Sequence, residues 1–194
     1  MAGWGFMTKV IRNYMTAQTG GDFVVLLTGM RINKFWKVWK WLPVFIAMPR
    51  MNHELTKNPE LGLLHYRNHV GVREMMVVQY WASWEKLHAW ATDPQRRHLP
   101  AWLKLNKAVG LNGDVGTWHE TYIVKDRKSF ECLYVNMPEH GLGKAMGVTE
   151  ARGPTRTAKG RLGQKESAEA GAYPPGTGAA AESEAACDEP SDRL

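Results

Sequence analysis

The chain has 194 residues and 44% hydrophobic content, enough for one ordinary domain with a buried core. A formal net charge of +6 hints at an anionic partner, yet no dense Lys/Arg run tracks a phosphate backbone, so no nucleic-acid binding is expected. The two cysteines, Cys132 and Cys187, form neither a disulfide framework nor a metal pattern, which fits a reducing cytoplasm.

Residues 1–15 read as an N-terminal extension. Lys9 and Arg12 stand there without a long apolar run or a small-residue cleavage site, so no signal peptide is expected. Residues 23–28 are a continuous apolar, β-branched run and predict a buried strand. Residues 34–55 predict a helical region, with Val44, Ala47, Met48, Met51 and Leu55 on one face. Pro43 suits its first turn, and Pro49 should kink or split it. Its greasiest stretch, 41–48, is too short to span a bilayer. Residues 61–68 and 74–81 predict a strand hairpin turning at Val70-Gly71. Ser83 then caps a helix running to about Thr92, stopped by Asp93-Pro94. A further helix is expected at about 100–109, then strands at 115–124 and 129–135, and a short helix near 141–146. From Gly147 to the end, Tyr173 is the only aromatic residue; Gly, Ala, Pro, Ser and charges dominate. Such a segment cannot bury enough apolar surface to offset its ordering entropy, so residues 147–194 are expected to be a disordered tail.

This order is β-α-β-β-α-β plus a final strand, the ferredoxin-like α+β plan with helices on one face of an antiparallel sheet, set in a domain at 16–146. Apolar residues occur at both parities of the first and third strands, so both sheet faces should be covered. A second subunit is the natural cover; residues 10–16 or a partner protein are alternatives.

No phosphate loop, nucleophile elbow or helical His pair occurs. Cys132 has no neighbouring His and reads as inert. What remains is a cluster of aromatics and histidines, rich in the nine Trp of this chain. Trp81 ends the third strand, Trp84 and His88 lie one turn apart on the next helix, and His98 precedes Trp102. In Trp118-His119-Glu120-Thr121-Tyr122, alternate residues point to opposite faces. Either Trp118, Glu120 and Tyr122 or Thr117, His119 and Thr121 look toward the helices. Glu120 also has a plain structural role open to it, pairing with Arg67 or Arg96. The functional reading makes His98 or His119 a general base, with Trp residues walling an aromatic pocket. The ordinary alternative is a Trp-rich core.

At these residues the chain becomes familiar. Trp81-Ala-Ser-Trp-Glu-Lys-Leu-His-Ala-Trp-Ala, followed by a Pro and His98, resembles the strand-to-helix segment of antibiotic-biosynthesis-monooxygenase-like domains. Gly29-Met-Arg-Ile-Asn33, Lys40-Trp-Leu-Pro-Val44 and Gly113-Asp-Val-Gly-Thr-Trp-His-Glu-Thr-Tyr122 are similar to one branch, the fumagillin-pathway monooxygenase-like family, long known only as a domain of unknown function. The resemblance implies a dimeric α+β barrel with a pocket between sheet and helices, and so a homodimer. It implies a monooxygenase acting on a hydrophobic or aromatic small molecule, with no cofactor or with haem. Catalytic candidates are His98, His119 and Glu120; substrate-binding candidates are Trp81, Trp84, His88, Trp102, Trp118 and Tyr122. No metal ligands are expected, and the Asn-Trp-His triad of haem-degrading relatives has no match here. The other readings are a non-catalytic binder of haem or a hydrophobic metabolite, and a membrane-surface protein. The last rests on Lys34-Phe-Trp-Lys-Val-Trp-Lys-Trp-Leu, which is cationic and rich in Trp. The expectation for that segment is that it packs on the sheet with Lys37 and Lys40 at the rim.

Overall fold

In the computed structural model, which describes residues 9–18, 20–95, 102, 103, 106 and 110–164, strands β1 (Ile11–Ala17) and β2 (Phe23–Ile32) lead into helix α1 (Val38–Lys57). Then follow β3 (Leu63–Val70), β4 (Glu74–Trp81), helix α2 (Trp84–Thr92) and β5 (Val115–Val124). After these come β6 (Tyr134–Met137), the short helix α3 (Leu142–Met146), β7 (Val148–Glu150) and the short helix α4 (Ala158–Arg161).

Strands β2 to β5 make one antiparallel sheet in the order β3-β4-β2-β5, the ferredoxin-like α+β plan that the element order predicts. β2 lies inside the sheet because its long apolar run can be buried on both faces. Val24, Leu26, Met30 and Ile32 face the helices and join two cores. One core holds Leu55 of α1 with Trp81, Leu87 and Trp90; the other holds Val44 of α1 with Met75 and Val115. Ser83 caps α2 as expected, its Oγ accepting the Lys86 N–H at 3.3 Å.

α1 departs from expectation. Pro43 is not in its first turn and Pro49 does not split it; both lie inside one helix. Each proline removes a helical hydrogen bond. Burial of Val44, Asn52 and Leu55 on one side, with Met48 and Met51 beside them, holds the helix together through that loss. Its Trp-rich start is only half absorbed. Phe35, Trp41 and Phe45 pack on the core, whereas Trp36 and Trp39 stay 69% and 67% exposed.

The other sheet face is covered at one end by this chain itself, the alternative in which the N-terminal segment acts as the cover. β1 is the middle strand of a second sheet, β6-β1-β7. Ala17, Phe23 and Leu142 make the seam, with Val25, Tyr80, Phe130 and Tyr134 around them. Cys132 lies there structurally: its Sγ accepts the Ala17 N–H at 3.3 Å. Burial pushes the Tyr80 and Tyr134 hydroxyls above their ordinary pKa. The expected strand at 129–135 is displaced to Tyr134–Met137, because Asp126 caps a tight turn at Arg127–Ser129.

Two expected boundaries move in consequence. Residues 11–17 are a paired strand, not part of a separate extension. Order also runs past residue 146, because β7 occupies the second edge of β1. Beyond β7, Arg161 is buried at 2% exposure, reaching Glu131 at 2.7 Å and the Thr155 and Arg156 carbonyls at 3.0 Å. Of the expected tail, residues 165–194 lie outside the described residues.

The turn from β2 into α1 is clamped by a residue distant in sequence. The Asp114 side chain, 3% exposed, receives Lys34 Nζ at 2.9 Å and Lys37 Nζ at 2.8 Å. Its backbone carbonyl accepts the Asn33 and Lys34 N–H groups. The hydrogen bond from Lys37, then that from Lys34, holds this carboxyl below the usual carboxylate range. A carboxyl depressed in the folded state stabilises fully above its unfolded pKa of about 4, and the contribution is lost as pH falls through the folded value. Asp114→Asn should therefore lower Tm at neutral pH, and the two proteins should converge in acid. Thermal melts across pH check this; a constant gap down to the lowest pH would contradict it.

Candidate functional site

A cavity of about 340 Å³ opens between the helix-facing side of the sheet and the two long helices. Its apolar wall comes from Leu26 of β2, Met48 and Met51 of α1, and Trp84, Leu87 and Trp90 of α2, with Trp102 beside them. Its polar groups are Thr28, Asn52, Gln79, His88, Thr92, His119 and Thr121. Among the described lining residues there is no carboxylate. A smaller depression of about 160 Å³, on another side of α2, is lined by Glu60, Lys86 and Asp93 among others. It brings together no such histidine and aromatic set.

The register between β2 and β5 settles which face of β5 meets the cavity. Thr28 lies opposite His119, and Leu26 opposite Thr121. Leu26 belongs to the helix-side core, so His119 and Thr121 face the helices. Trp118, Glu120 and Tyr122 lie opposite Gly29, Leu27 and Val25 and face away. They do not line the cavity, which corrects their expected place in the same site. The Trp118 indole lies over Gly29, where a Cβ would come within 2.8 Å of its Nε1. Glu120 accepts a 2.6 Å hydrogen bond from the Tyr122 hydroxyl, which raises the Tyr122 pKa, while Arg67, one of its two expected partners, lies 2.6 Å from His140 Nδ1.

Trp81 also moves. It is fully buried, with its ring 5.3 Å from that of Trp90, and stands behind the cavity rather than in it. Trp84 and His88 lie where their one-turn spacing predicts, ring centroids 5.5 Å apart on the cavity rim. Trp102 lines the cavity and is itself helical, and most of the helix expected at 100–109 lies outside the described residues. His98 and Arg96 lie outside the described residues. Among the described residues, no three His, Cys, Asp or Glu side chains are grouped so as to hold a metal ion.

Sequence reasoning missed the amides at the back of the cavity. Gln79, 3% exposed, accepts from Trp81 Nε1 at 2.9 Å and donates to Asn52 Oδ1 at 2.8 Å. Asn52, 1% exposed, donates in turn to Asn68 Oδ1 at 3.3 Å. The signal was present: Gln79 interrupts the inward series Met75, Val77, Trp81, and Asn52 stands in the inward stripe of α1. A polar residue at such a position needs a partner, and these two supply each other. The site thus has a fixed polar back, an aromatic and thioether wall, and two imidazoles, His88 and His119, at its exposed rim.

The family described as monooxygenase af470-like matches residues 23–142. No curated protein matches the chain. Among solved structures, SnoaB, a cofactor-independent oxygenase from Streptomyces nogalater, is similar over 52% of this chain and 91% of its own, with 10% identity and a TM-score of 0.37. The aldoxime dehydratase OxdRE, crystallised with butyraldoxime, is similar over 73% of this chain at 14% identity and a TM-score of 0.50. Another aldoxime dehydratase is similar over the same share at 16% identity and a TM-score of 0.47. The chain spans under half the length of both dehydratases, 44% and 45%. At such identities the likeness concerns the fold.

The amide relay is open to direct test. Gln79→Leu keeps the volume but leaves Trp81 Nε1 and Asn52 Oδ1 buried without their partner. It should cost about 1–3 kcal/mol in urea unfolding, and Gln79→Leu with Asn52→Leu should cost less than the two single changes added. Full additivity would show that the two amides do not act as one unit.

Proposed function

Because the chain belongs to the monooxygenase af470-like family, we propose that it is a monooxygenase whose substrate is a hydrophobic or aromatic small molecule held between α1, α2 and the sheet. The observation that carries this reading is the His119 imidazole in a cavity that Leu, Met and Trp side chains wall and that holds no carboxylate among its described lining residues. A cavity of about 340 Å³ suits a small organic ligand. Met48 and Met51 adapt to its outline, and Trp84 and Trp102 offer flat faces.

In this reading His119 is the general base. It stands on a rigid strand opposite the Thr28 hydroxyl and faces the cavity. Removing a proton from an activated methylene leaves an electron-rich anion that can reduce O₂. Overall the CH₂ becomes a carbonyl, one oxygen atom enters the product and the other leaves as water, and the substrate supplies all four electrons that O₂ accepts. No cofactor is needed for that balance. The Trp84 and Trp102 rings flank the anion, and the Asn52–Gln79 pair fixes the polar back against which the substrate is oriented. Glu120, facing the other way, is assigned no part.

A homodimer is part of the proposal. Trp118 and Tyr122 are 36% and 50% exposed on the sheet face that β1 leaves open, and a second copy would bury them there. Trp118→Glu should then shift the mass in light scattering from two chains to one.

The decisive experiment offers, under ¹⁸O₂, electron-rich polycyclic phenols whose keto tautomers carry an activated ring CH₂. One labelled oxygen in the product and consumption of O₂ are expected. His119→Ala should lower kcat by about 10²–10⁴-fold, while Trp84→Ala should act mainly on KM. Binding without turnover would make the chain a carrier of such molecules. A saturating Soret shift on hemin titration, lost in His88→Ala or His119→Ala, would overturn the cofactor-free reading.

A further inference from the structure

α1 carries a second apolar surface that the cavity does not use. Val38, Leu42 and Ile46 are 43%, 38% and 41% exposed beside the exposed Trp39, and the exposed Trp36 stands in the turn just before the helix. Trp39, Leu42 and Ile46 recur at i, i+3 and i+7, so they form one ridge along the helix. At 100° per residue that ridge is opposite Val44, Met48, Met51 and Leu55, which face the sheet or the cavity. Isolated exposed apolar residues are ordinary; four in the first turns of one helix, with a second exposed Trp in the turn just before it, are not.

Charge narrows the choice of occupant. Residues 23–53 hold five cations, Arg31, Lys34, Lys37, Lys40 and Arg50, and no carboxylate. Against them stand Glu74, which pairs with Arg31, and Asp114, which pairs with Lys34 and Lys37. The ridge is thus apolar and set in positive surroundings. Trp is the side chain most at home where hydrocarbon meets water, and cations flanking it suit an anionic headgroup layer. No helix among the described residues is long and apolar enough to cross a membrane, so contact would be along the surface. A second copy fits the ridge poorly, because the open sheet face with Trp118 and Tyr122 lies on the other side of the molecule from the helix layer.

We infer that the outer ridge of α1, from Val38 to Ile46, docks the protein on an anionic membrane surface together with Trp36 in the turn before it. The helix then lies in the interface, with its Trp rings at headgroup level and Arg50, on the same side of the helix as Trp39 and Ile46, near the phosphates. This goes beyond the monooxygenase reading and does not depend on it. The two would nevertheless work together: Met48, Met51 and Asn52 of the same helix line the cavity, which would sit about one helix diameter, roughly 10 Å, from the bilayer.

The test is co-sedimentation of the full chain with vesicles of phosphatidylcholine alone and of phosphatidylcholine mixed equally with phosphatidylglycerol. Binding to the mixed vesicles at low salt, weakened at high salt and slight on the neutral ones, is expected. Trp36→Ala with Trp39→Ala should lower the partition coefficient by at least about tenfold while leaving Tm unchanged, since both side chains are exposed. Tyr122→Ser, on the sheet face, should bind as the parent does. Brominated acyl chains should quench part of the Trp emission, and less of it in the double Trp variant. No pelleting, equal pelleting on neutral vesicles, or a Trp variant that binds like the parent would each overturn the inference. So would a Trp variant that changes only the oligomeric mass, which would make the ridge a protein interface.

Discussion

The site depends on one buried hydrogen bond, from the Gln79 side chain to Asn52. These amides lie between a sheet and a helix that could otherwise close on each other through apolar contact. Neither can give up its partner without leaving a buried polar group unpaired, at about 1–3 kcal/mol each. So α1 is held at a set distance and rotation relative to β4. Met48 and Met51, one turn and less before Asn52, are thereby aimed at the space beside the pair rather than into the sheet. Trp81 is tied into the same relay and backs Trp90, which makes the wall behind the cavity stiff. The cavity is open because polar chemistry at its back prevents collapse.

The same sheet serves two surfaces, divided by the pleat of β5. His119 and Thr121 go to the cavity; Trp118, Glu120 and Tyr122 go to the opposite face. Gly29 is the condition for this second surface, because only a residue without Cβ lets the Trp118 indole lie flat across β2. A one-residue slip of β5 would exchange the two sets and put Trp118 and Glu120 in the cavity. The full-length pairing of β5 with β2, together with the clamp of Asp114 on the β2–α1 turn, opposes that slip.

Much of this was legible before any coordinates. β2, β4 and α2 declare themselves through β-branched runs, turn residues and the Ser83 cap, because those signals are local. The Trp84–His88 pair was legible for the same reason: one turn of helix brings its members together. The face of β5 was not, since both parities carry residues of functional type and only the partner strand decides between them. Nor were β1 and β7, short strands whose pairing partners lie more than a hundred residues away in the chain and whose own composition is mixed. Pro43 and Pro49 misled because propensity is a local quantity, whereas α1 is held by its contacts with β2 and β4. Asn52 and Gln79 were visible only as two isolated amides on apolar faces; that they answer each other is a fact of tertiary structure.

α1 therefore carries more than its share of the molecule. Its inner side holds the sheet at a fixed spacing, its flank lines the cavity with thioethers, and its outer side keeps Trp39, Leu42 and Ile46 in solvent. An enzyme for a water-soluble substrate gains nothing from that last feature, which lowers solubility and costs hydration. The feature makes sense where the substrate is as apolar as the cavity wall and is concentrated in a lipid phase. Uptake then requires transfer over a short distance around one helix, not diffusion of a sparingly soluble molecule through water. The two prolines fit the same account. Each frees a backbone carbonyl of α1, and a half-exposed helix can turn such a carbonyl to water or headgroups where a wholly buried one could not.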